Sequence, residues 1–529
     1  MVARAVGKPL PHDSAHLHVS GRAAYTDDLP EPRDLLHLAV GMSTVAHANV
    51  RGLDLSNVLA AHGVVDTCTA ADIPGENNYG SIIKDDPLLA DGLVQYVGQP
   101  LFVVAAETVD AARKAAHMAI VDYDELEAIL DPLTAVEKQS FVLPSETLVR
   151  GDPDAALEAA PHRLRRRAAV GGQDQFYLEG HIAMAIPQED GGILVYSSTQ
   201  HPDEVQGIVA HATQREAKDI VVICRRMGGA FGGKESQAAL IGCIAALAAD
   251  KTGRPCKLRL DRDDDMIMTG KRHDFVIDYD VGFDDDGRIL GIDFEFAARC
   301  GMSADLSGPV NDRAMFHCDN AYFLENVRIL SHRCKTNTVS NTAFRGFGGP
   351  QGMFAIECVI DDIARTLGMD PLAVRRQNFY GTEDRNVTHY QQVVEDNIAD
   401  ELFDRLLASS DYEDRRKAIY AFNADSKVLK RGIAITPVKF GISFTSPLLN
   451  QAGALVHVYK DGTVQLNHGG TEMGQGLYVK VAQVVADEFG ISIERVRTTA
   501  ADTSKVPNAS ATAASSGSDM NGKACLLYT

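Results

Sequence analysis

The sequence predicts a multidomain protein of the mixed α/β and α+β class. Its 529 residues exceed the size of one ordinary domain, so two or three domains are expected. Strand-like apolar runs alternate with amphipathic helical segments, and glycine-rich loops join several of them. A hydrophobic content of 45% and a charged content of 23% are typical of a globular protein with a buried core.

Charge and composition exclude some classes of partner. The net charge of −21 opposes binding to the phosphate backbone of a nucleic acid. No apolar stretch approaches the ~20 residues of a membrane-spanning helix, and the N-terminus has no apolar signal core. The sequence therefore predicts a cytoplasmic protein that binds neither membranes nor nucleic acids.

The nine cysteines are scattered, and none forms a CxxC pair. Their spacing fits neither a zinc site nor the usual iron–sulfur patterns. We expect reduced thiols that serve mainly as small core residues. If the protein performs redox chemistry, its iron–sulfur clusters are expected on another chain.

The first predicted domain covers residues 1–125. Residues 94–106 are predicted to form two strands around a turn that contains Gly98. Thr108 is placed to cap a helix over 109–118, and residues 119–123 return as a strand. Residues 126–150 contain prolines and mixed residue types and are predicted to be a linker.

The second predicted domain covers residues 151–395, and the third covers 396–529. In the second, strands at 193–196, 219–224 and 256–260 alternate with helices at 237–249 and 353–367. In the third, two apolar runs flank Asp461 and Gly462, which is a strong hairpin signal, and a helix is predicted over 476–488.

The octapeptide 228–235 is a candidate ligand loop, because it lies between a predicted strand and a predicted helix. Gly228, Gly233 and Lys234 almost match the spacing of a phosphate-binding P-loop. That motif needs Ser or Thr next, to hold magnesium, but Glu235 stands there. A carboxylate would repel a triphosphate, so the nucleotide interpretation fails on charge.

Comparable loops occur at 345–352 and 468–476, and a stretch of small residues occurs at 510–517. Any one of them alone is best explained as a turn. Together, their backbone amides and small polar side chains suit a flat ligand rich in heteroatoms that carries a phosphate.

The other candidate residues also have simple structural explanations. Arg313 could pair with Asp312 or Asp319 at the surface, and Glu235 could favour a helix dipole. The isolated aromatics Phe347 and Phe444 are core residues by default. His468 has no second ligand at metal-binding spacing.

Long motifs in this chain resemble those of the molybdenum-binding subunit in the molybdenum hydroxylase (xanthine oxidase) family, of the bacterial xanthine dehydrogenase kind. The resemblance extends from Lys8 to about Gly522. The motifs are RRMGGAFGGKES, DRDDDMIMTGKRHDF, SNTAFRGFGGPQG, KFGISFTSPLLNQAGAL, HGGTEMGQG and TSKVPNASATAASS.

The resemblance implies a small aldehyde oxidase/xanthine dehydrogenase a/b hammerhead domain followed by two molybdopterin-binding domains, the last of them incomplete. It implies a molybdopterin cofactor, either the plain form or its cytosine dinucleotide. The implied activity is hydroxylation of hypoxanthine to xanthine and of xanthine to urate. Electrons would leave through [2Fe–2S] clusters and FAD on a partner subunit to NAD, in a heterotetramer or larger assembly.

Site residues follow from the resemblance by position. Gln200 would lie over the metal's oxo ligand, and Glu235 and Arg313 would face the purine. Phe347 and Phe444 would hold the purine ring between them, and Thr445 would line the same pocket. The remaining cofactor-binding residues would be Phe231, Gly232, Arg345, Gln475, Thr512, Ala513, Ala514 and Ser515.

The sequence departs from the family at one functional position. The family's general base is a glutamate in a Gly-Glu-Pro-Pro-like motif near the C-terminus, and this sequence contains no such motif. The sequence therefore predicts a C-terminally truncated chain that is inactive by itself. Two alternatives stay open: an aldehyde-oxidising relative, and a non-catalytic fragment.

Overall fold

The computed structural model describes residues 4–444 and 446–528 and confirms the mixed α/β and α+β fold class. Up to residue 125 the elements are α1 (Ala15–His18), β1 (Leu36–Met42), β2 (Ala48–Asp54), α2 (Ser56–Leu59), β3 (Val64–Thr69), β4 (Leu93–Val94), β5 (Pro100–Ala106), α3 (Val109–Ala116) and β6 (Ile120–Glu125). The Thr108 hydroxyl accepts a hydrogen bond from Ala111 N–H at 3.1 Å, which confirms the predicted cap of α3.

The middle of the chain contains most of the strands. Its elements are α4 (Pro132–Glu137), β7 (Phe141–Arg150), α5 (Pro153–Ala159), β8 (His162–Val170), β9 (Ile182–Pro187), β10 (Ile193–Ser197), α6 (Pro202–Ala212), β11 (Ile220–Cys224), α7 (Ala238–Thr252), β12 (Cys256–Arg259), α8 (Arg262–Met268), β13 (Phe275–Phe283), β14 (Ile289–Gly301), α9 (Ser307–His317), β15 (Val327–Lys335), α10 (Gly349–Leu367) and α11 (Pro371–Asn378).

The last part of the chain is richer in helix. Its elements are α12 (Ala399–Ser409), α13 (Tyr412–Asp425), β16 (Ala454–Val458), β17 (Val464–His468), α14 (Leu477–Phe489), β18 (Val496–Thr498), β19 (Ala501–Asp502) and α15 (Gly517–Tyr528). Within the described residues no helix has both the length and the apolar character to span a membrane.

The largest sheet draws strands from all three predicted domains, in the order β19-β11-β10-β9-β12-β1-β5-β3. β1 runs parallel to β12, with Leu36 opposite Cys256, and β19 pairs antiparallel with β11. Helix α7 packs on this sheet, and it is almost entirely buried because alanines and aliphatic residues occupy all of its faces. The predicted domains are therefore joined by a shared core.

A second sheet has the order β7-β15-β14-β13-β8. Helix α10 covers it with the apolar face that the helical spacing predicts, and Ile356, Val359 and Ile363 are fully buried there. Residues 126–150, predicted as a linker, contain α4 and β7, and β7 pairs antiparallel with β15. The segment is thus an edge strand of the sheet, whose backbone bonds hold it in place, rather than a free connection.

The remaining sheets are small. The order β4-β2-β6 forms part of the N-terminal unit, and β16-β17-β18 carries α14 and α15 on one face. The predicted hairpin is confirmed: β16 and β17 pair antiparallel, and Gly462 between them has a φ of +77°.

Candidate functional site

The 228–235 loop joins β11 to α7 and packs against a second glycine-rich loop. Gly232 has a φ of +103°, and a Cβ added there would lie 2.7 Å from the carbonyl oxygen of Ala343. The Arg345 N–H donates to the Phe231 carbonyl at 2.8 Å. Gly232 is therefore needed for close contact between two backbone segments and for its positive φ.

Lys234 points into the protein core. Its ammonium is fully buried and donates to the Glu179 carbonyl at 2.7 Å and to the Ser198 hydroxyl at 2.8 Å. It also forms an ion pair with the Glu179 carboxylate at 3.3 Å. These contacts make Lys234 a structural residue, which agrees with rejection of the P-loop interpretation.

Gln200 connects loops that are far apart in the sequence. Its side-chain oxygen accepts from the Gly232 N–H at 2.9 Å, and its side-chain nitrogen donates to the Thr512 carbonyl at 3.1 Å. The Thr512 N–H donates back to the Gln200 carbonyl at 2.9 Å. Because these hydrogen bonds join the 228–235 loop to the 512–515 stretch, Gln200 fixes the relative position of the two segments.

A cavity of about 630 Å³, here called the central cavity, lies where these loops meet. All of the predicted site residues that the structure describes line it. Thr445 lies outside the described residues. The lining residues from the predicted set are Gln200, Phe231, Gly232, Glu235, Arg313, Arg345, Phe347, Phe444, Gln475, Thr512, Ala513, Ala514 and Ser515.

Glu235 is a buried carboxyl in the wall of the central cavity. Burial raises the pKa of Glu235 to about 8; the charge of His201 opposes this shift, and Glu204 and Asp305 add to it. Near neutral pH the carboxyl therefore holds its proton, so it can both donate and accept a hydrogen bond.

His201 is the neighbour whose positive charge lowers the pKa of this carboxyl. Its Nδ1 lies 3.1 Å from Glu204 Oε2, and its Nε2 lies 3.1 Å from the Ala509 carbonyl. Burial alone would lower the pKa of His201, but the neighbouring acids, Glu204 first among them, together outweigh burial and the pKa is raised. Because both ring nitrogens face acceptors, the geometry suits the doubly protonated ring.

Arg313 is buried in α9, and its bonding partners differ from those expected at a surface. Its guanidinium donates to the carbonyls of Gly441 at 2.8 Å and Ser443 at 2.7 Å. The expected pairs with aspartates are wrong, because Asp312 pairs with Arg333 and Asp319 with Lys439. Two N–H groups of Arg313 are thus used by the protein, and others can serve the cavity.

The aromatic wall of the cavity is larger than the sequence indicated. Phe347, with a φ of +50°, and Phe444 both contribute, and so do Phe344 and Phe440, which the sequence analysis did not identify. Phe440 lies four residues before Phe444, so its presence in the same motif was the available signal. Arg313 lies 5.3 Å from the centre of the Phe440 ring.

Two helix N-termini also contribute to the cavity lining. Gln475 precedes α14, where it accepts from Met473 N–H at 2.6 Å and donates to the Thr471 carbonyl at 2.9 Å. Ser515 precedes α15 and has a φ of +57°. Lys480 and Ser518, in the first turns of these helices, also line the cavity, and both escaped the sequence analysis. Two N-termini and a lysine together favour an anion.

The remaining polar candidates have structural roles. His468 is buried, which lowers its pKa to about 4, and its ring meets that of Tyr478 edge to face at 5.3 Å. Most of the cysteines lie in the buried cores, as expected, and no disulfide joins any pair of them within the described residues.

Models of known families match most of the chain. The aldehyde oxidase and xanthine dehydrogenase a/b hammerhead domain matches residues 20–127. Molybdopterin cofactor-binding domains match residues 136–379 and 405–528.

Curated relatives and solved structures agree with these matches. The chain is 44% identical over 525 residues to the xanthine dehydrogenase/oxidase of Gallus gallus and 42% identical over 525 residues to the xanthine dehydrogenase of Calliphora vicina. It covers 99% and 98% of itself in these matches, but only 38% and 39% of the two relatives. The aldehyde oxidoreductase from Desulfovibrio gigas superposes with a TM-score of 0.86 at 27% identity, covering 99% of this chain and 59% of that one.

The fold and the loops around the central cavity thus define a protein with molybdopterin cofactor-binding domains. The chain belongs to the aldehyde oxidase and xanthine dehydrogenase family.

Proposed function

We propose that this chain forms the molybdenum-cofactor-binding part of a xanthine dehydrogenase that hydroxylates hypoxanthine and xanthine. The observation that carries the proposal is that Glu235, Arg313, Phe347 and Phe444 all line the same cavity. A purine has polar edges and a flat aromatic face, and these residues offer matching contacts to both.

Glu235 and Arg313 would recognise the polar edges of the purine. The carboxyl of Glu235 is neutral near pH 7 because burial raises its pKa to about 8, so it can donate to a ring nitrogen or oxygen. The guanidinium of Arg313, already oriented by the carbonyls of Gly441 and Ser443, would stabilise negative charge that builds on the ring.

The other walls of the cavity fit a molybdopterin. Gln200, Gly232 and the 512–515 loop present buried amides and small side chains, as a pterin rich in heteroatoms requires. Lys480 and Ser518, at the N-termini of α14 and α15, suit its phosphate. When bound, this cofactor would supply the metal centre for hydroxylation and accept the two electrons. Its form would be plain molybdopterin or the cytosine dinucleotide.

A partner subunit would complete the electron path. We place [2Fe–2S] clusters and FAD on that subunit, with NAD as the final acceptor, in a heterotetramer or larger assembly in the cytoplasm. The cysteines support this division because most of them lie in apolar cores, where burial raises the pKa of thiols such as Cys224 to about 12.

Oxidation of an aldehyde is the second candidate function. Its support is the fold similarity to the aldehyde oxidoreductase from Desulfovibrio gigas. A buried carboxyl and a guanidinium have no obvious use for an aldehyde, whereas both suit a purine. The two activities can be compared in one preparation by supplying xanthine or an aldehyde to the same enzyme.

Because the family's general-base motif is absent from this sequence, the test uses the complete holoenzyme, with this chain extended to the length of its relatives and joined by its partner subunit. We expect molybdenum in the purified protein and xanthine-dependent reduction of NAD. Glu235→Ala and Arg313→Met should each lower kcat/KM for xanthine with molybdenum content unchanged. The loss of one hydrogen-bonded contact to the substrate in a closed site costs about 2–4 kcal/mol, or roughly 30- to 1000-fold.

The exposed ion pair Lys218–Glu216 provides the control. Glu216 does not line the cavity, so Glu216→Gln should leave molybdenum content and kcat/KM unchanged. If molybdenum content fell in parallel with activity in the cavity variants, Glu235 and Arg313 would be structural residues. Full molybdenum content without turnover of any purine or aldehyde would instead favour a non-catalytic binding role.

A further inference from the structure

The segment 439–444 contacts α9 and carries two of the cavity aromatics, Phe440 and Phe444. Its residues have no regular secondary structure, so their position depends on individual contacts. The Lys439 ammonium donates to Asp319 at 2.7 Å, and the Ser443 N–H donates to the Ala514 carbonyl at 2.8 Å. These bonds hold the two ends of the segment, and Gly441 lies between them.

Two side chains of helix α9 form hydrogen bonds with the backbone N–H and carbonyl of Gly441. Its N–H donates to His317 Nε2 at 3.2 Å, and its carbonyl accepts from the Arg313 guanidinium at 2.8 Å. Arg313 and His317 are four residues apart, so they lie one above the other on the same face of the helix. The Phe440 ring lies beside both of them, 5.0 Å from the His317 ring and 5.3 Å from the Arg313 guanidinium.

The hydrogen bonds specify one form of His317. Its Nδ1 lies 3.0 Å from the Arg313 carbonyl, so Nδ1 carries the proton and donates. Its Nε2 then has the lone pair that accepts from Gly441. Burial lowers the pKa of His317 to about 4, and the neighbouring charges of Lys439 and Arg313 also oppose protonation while Asp319 favours it.

We propose that His317, as its neutral Nδ1–H tautomer, is a positioning residue that clamps the 439–444 segment onto α9 and thereby orients Arg313 and Phe444 in the central cavity. His317 does not line the cavity itself, so it acts through these two residues. The functional part of this inference rests on the proposed function, whereas the clamp itself does not.

Three substitutions separate the clamp from simple packing. In His317→Gln the amide oxygen reaches the position of Nε2 and can still accept from Gly441. In His317→Asn the shorter amide can replace only Nδ1, and His317→Phe keeps the ring volume without any hydrogen bond. If His317 only fills space, His317→Phe should be the mildest of the three changes. If His317 acts as a clamp, His317→Gln should be the mildest.

Hydrogen exchange of the 439–444 amides in the holoenzyme measures the clamp directly. We expect faster exchange in His317→Asn and His317→Phe and near-normal exchange in His317→Gln. His332→Gln is the control, because His332 is a buried histidine on β15 that stacks on Phe141, away from this segment. Unchanged exchange in all three His317 variants would overturn the clamp, whether or not the protein oxidises xanthine.

Steady-state kinetics measure the effect of the clamp on xanthine turnover. The Asn and Phe variants should show a kcat/KM for xanthine roughly 3- to 10-fold lower, the equivalent of one lost hydrogen bond, with molybdenum content unchanged and rescue in the Gln variant. Faster exchange with unchanged kinetics would overturn the positioning role and leave only a structural clamp. If the unmodified holoenzyme did not oxidise xanthine at all, the proposed function would fail while the exchange result still decided the clamp.

Discussion

Glu235 shows at the scale of one residue how folding changes chemistry. The side chain is an ordinary carboxyl in the sequence, and burial in the fold raises its pKa to about 8. The unfolded chain loses this proton at a much lower pH than the folded protein does. Between the two pKa values the unfolded state is therefore favoured as the pH rises, because it alone is ionised and solvated.

Glu235→Gln should remove this pH-dependent loss of stability. Each unit of pKa difference corresponds to about 1.4 kcal/mol, so the effect should grow steadily between about pH 4.5 and pH 8. We expect the thermal midpoint of the variant, relative to the unmodified protein, to rise over this range and to stay constant below it. Glu189→Gln, at an exposed position, is the control. A difference that does not vary with pH would show that Glu235 is already ionised in the folded protein.

Loop contacts decide the geometry of the site at the scale of an element. The 228–235 and 340–345 segments lie backbone to backbone, and Gly232 leaves no room for a side chain between them. The sequence suggested that this glycine approaches a cofactor, whereas the atoms that an added Cβ would meet first belong to Ala343 and Phe344. A larger residue would therefore displace Arg345 as well, since its N–H is bonded to Phe231.

Gly232→Ala should lower both the stability and the molybdenum content of the holoenzyme. A matched control is Gly191→Ala, because Gly191 has a φ of +84° but its Cβ would meet nothing within 4 Å. Both changes incur the strain of a positive φ, about 1–2 kcal/mol, and only the first adds the collision. We expect a clearly larger fall of the thermal midpoint for Gly232→Ala, accompanied by loss of molybdenum. Equal falls with full metal content would show that the loop contact has no role in cofactor retention.

The elements that the sequence predicted are those with a strong local signal. The apolar face of α10, the hairpin of β16 and β17, and the cap of α3 all depend on residues close together in the chain. Residues 141–150 were missed because an edge strand is half exposed and lacks a clear apolar pattern. The partners of Arg313 were missed because they lie more than a hundred residues away and are backbone carbonyls, which no side-chain pattern reveals.

At the scale of the whole molecule the predicted domains share one structure. Within the largest sheet β1 pairs with β12. Leu36 and Leu38 on β1 are 0% and 5% exposed, within the core that contains α7. The first residues are also held from the other end of the chain, because the Asp487 carboxylate accepts from Val6 N–H at 3.0 Å and Gln483 donates to the Ala5 carbonyl at 2.7 Å. The units should therefore unfold together.

Residues 1–125, expressed alone, should not fold stably. The fragment keeps the pairing of β1 with β5 but loses β12 and α7, so Leu36, Leu38 and Val103 would become exposed. Each of these side chains loses about 1.5–3 kcal/mol of burial, which together rivals the whole stability of a small domain. We expect broad thermal unfolding and unprotected amides in the fragment, while the intact chain shows one cooperative transition. Well-dispersed amide resonances and a sharp transition for the fragment would instead establish an independent N-terminal domain, with the shared sheet contributing little to its stability.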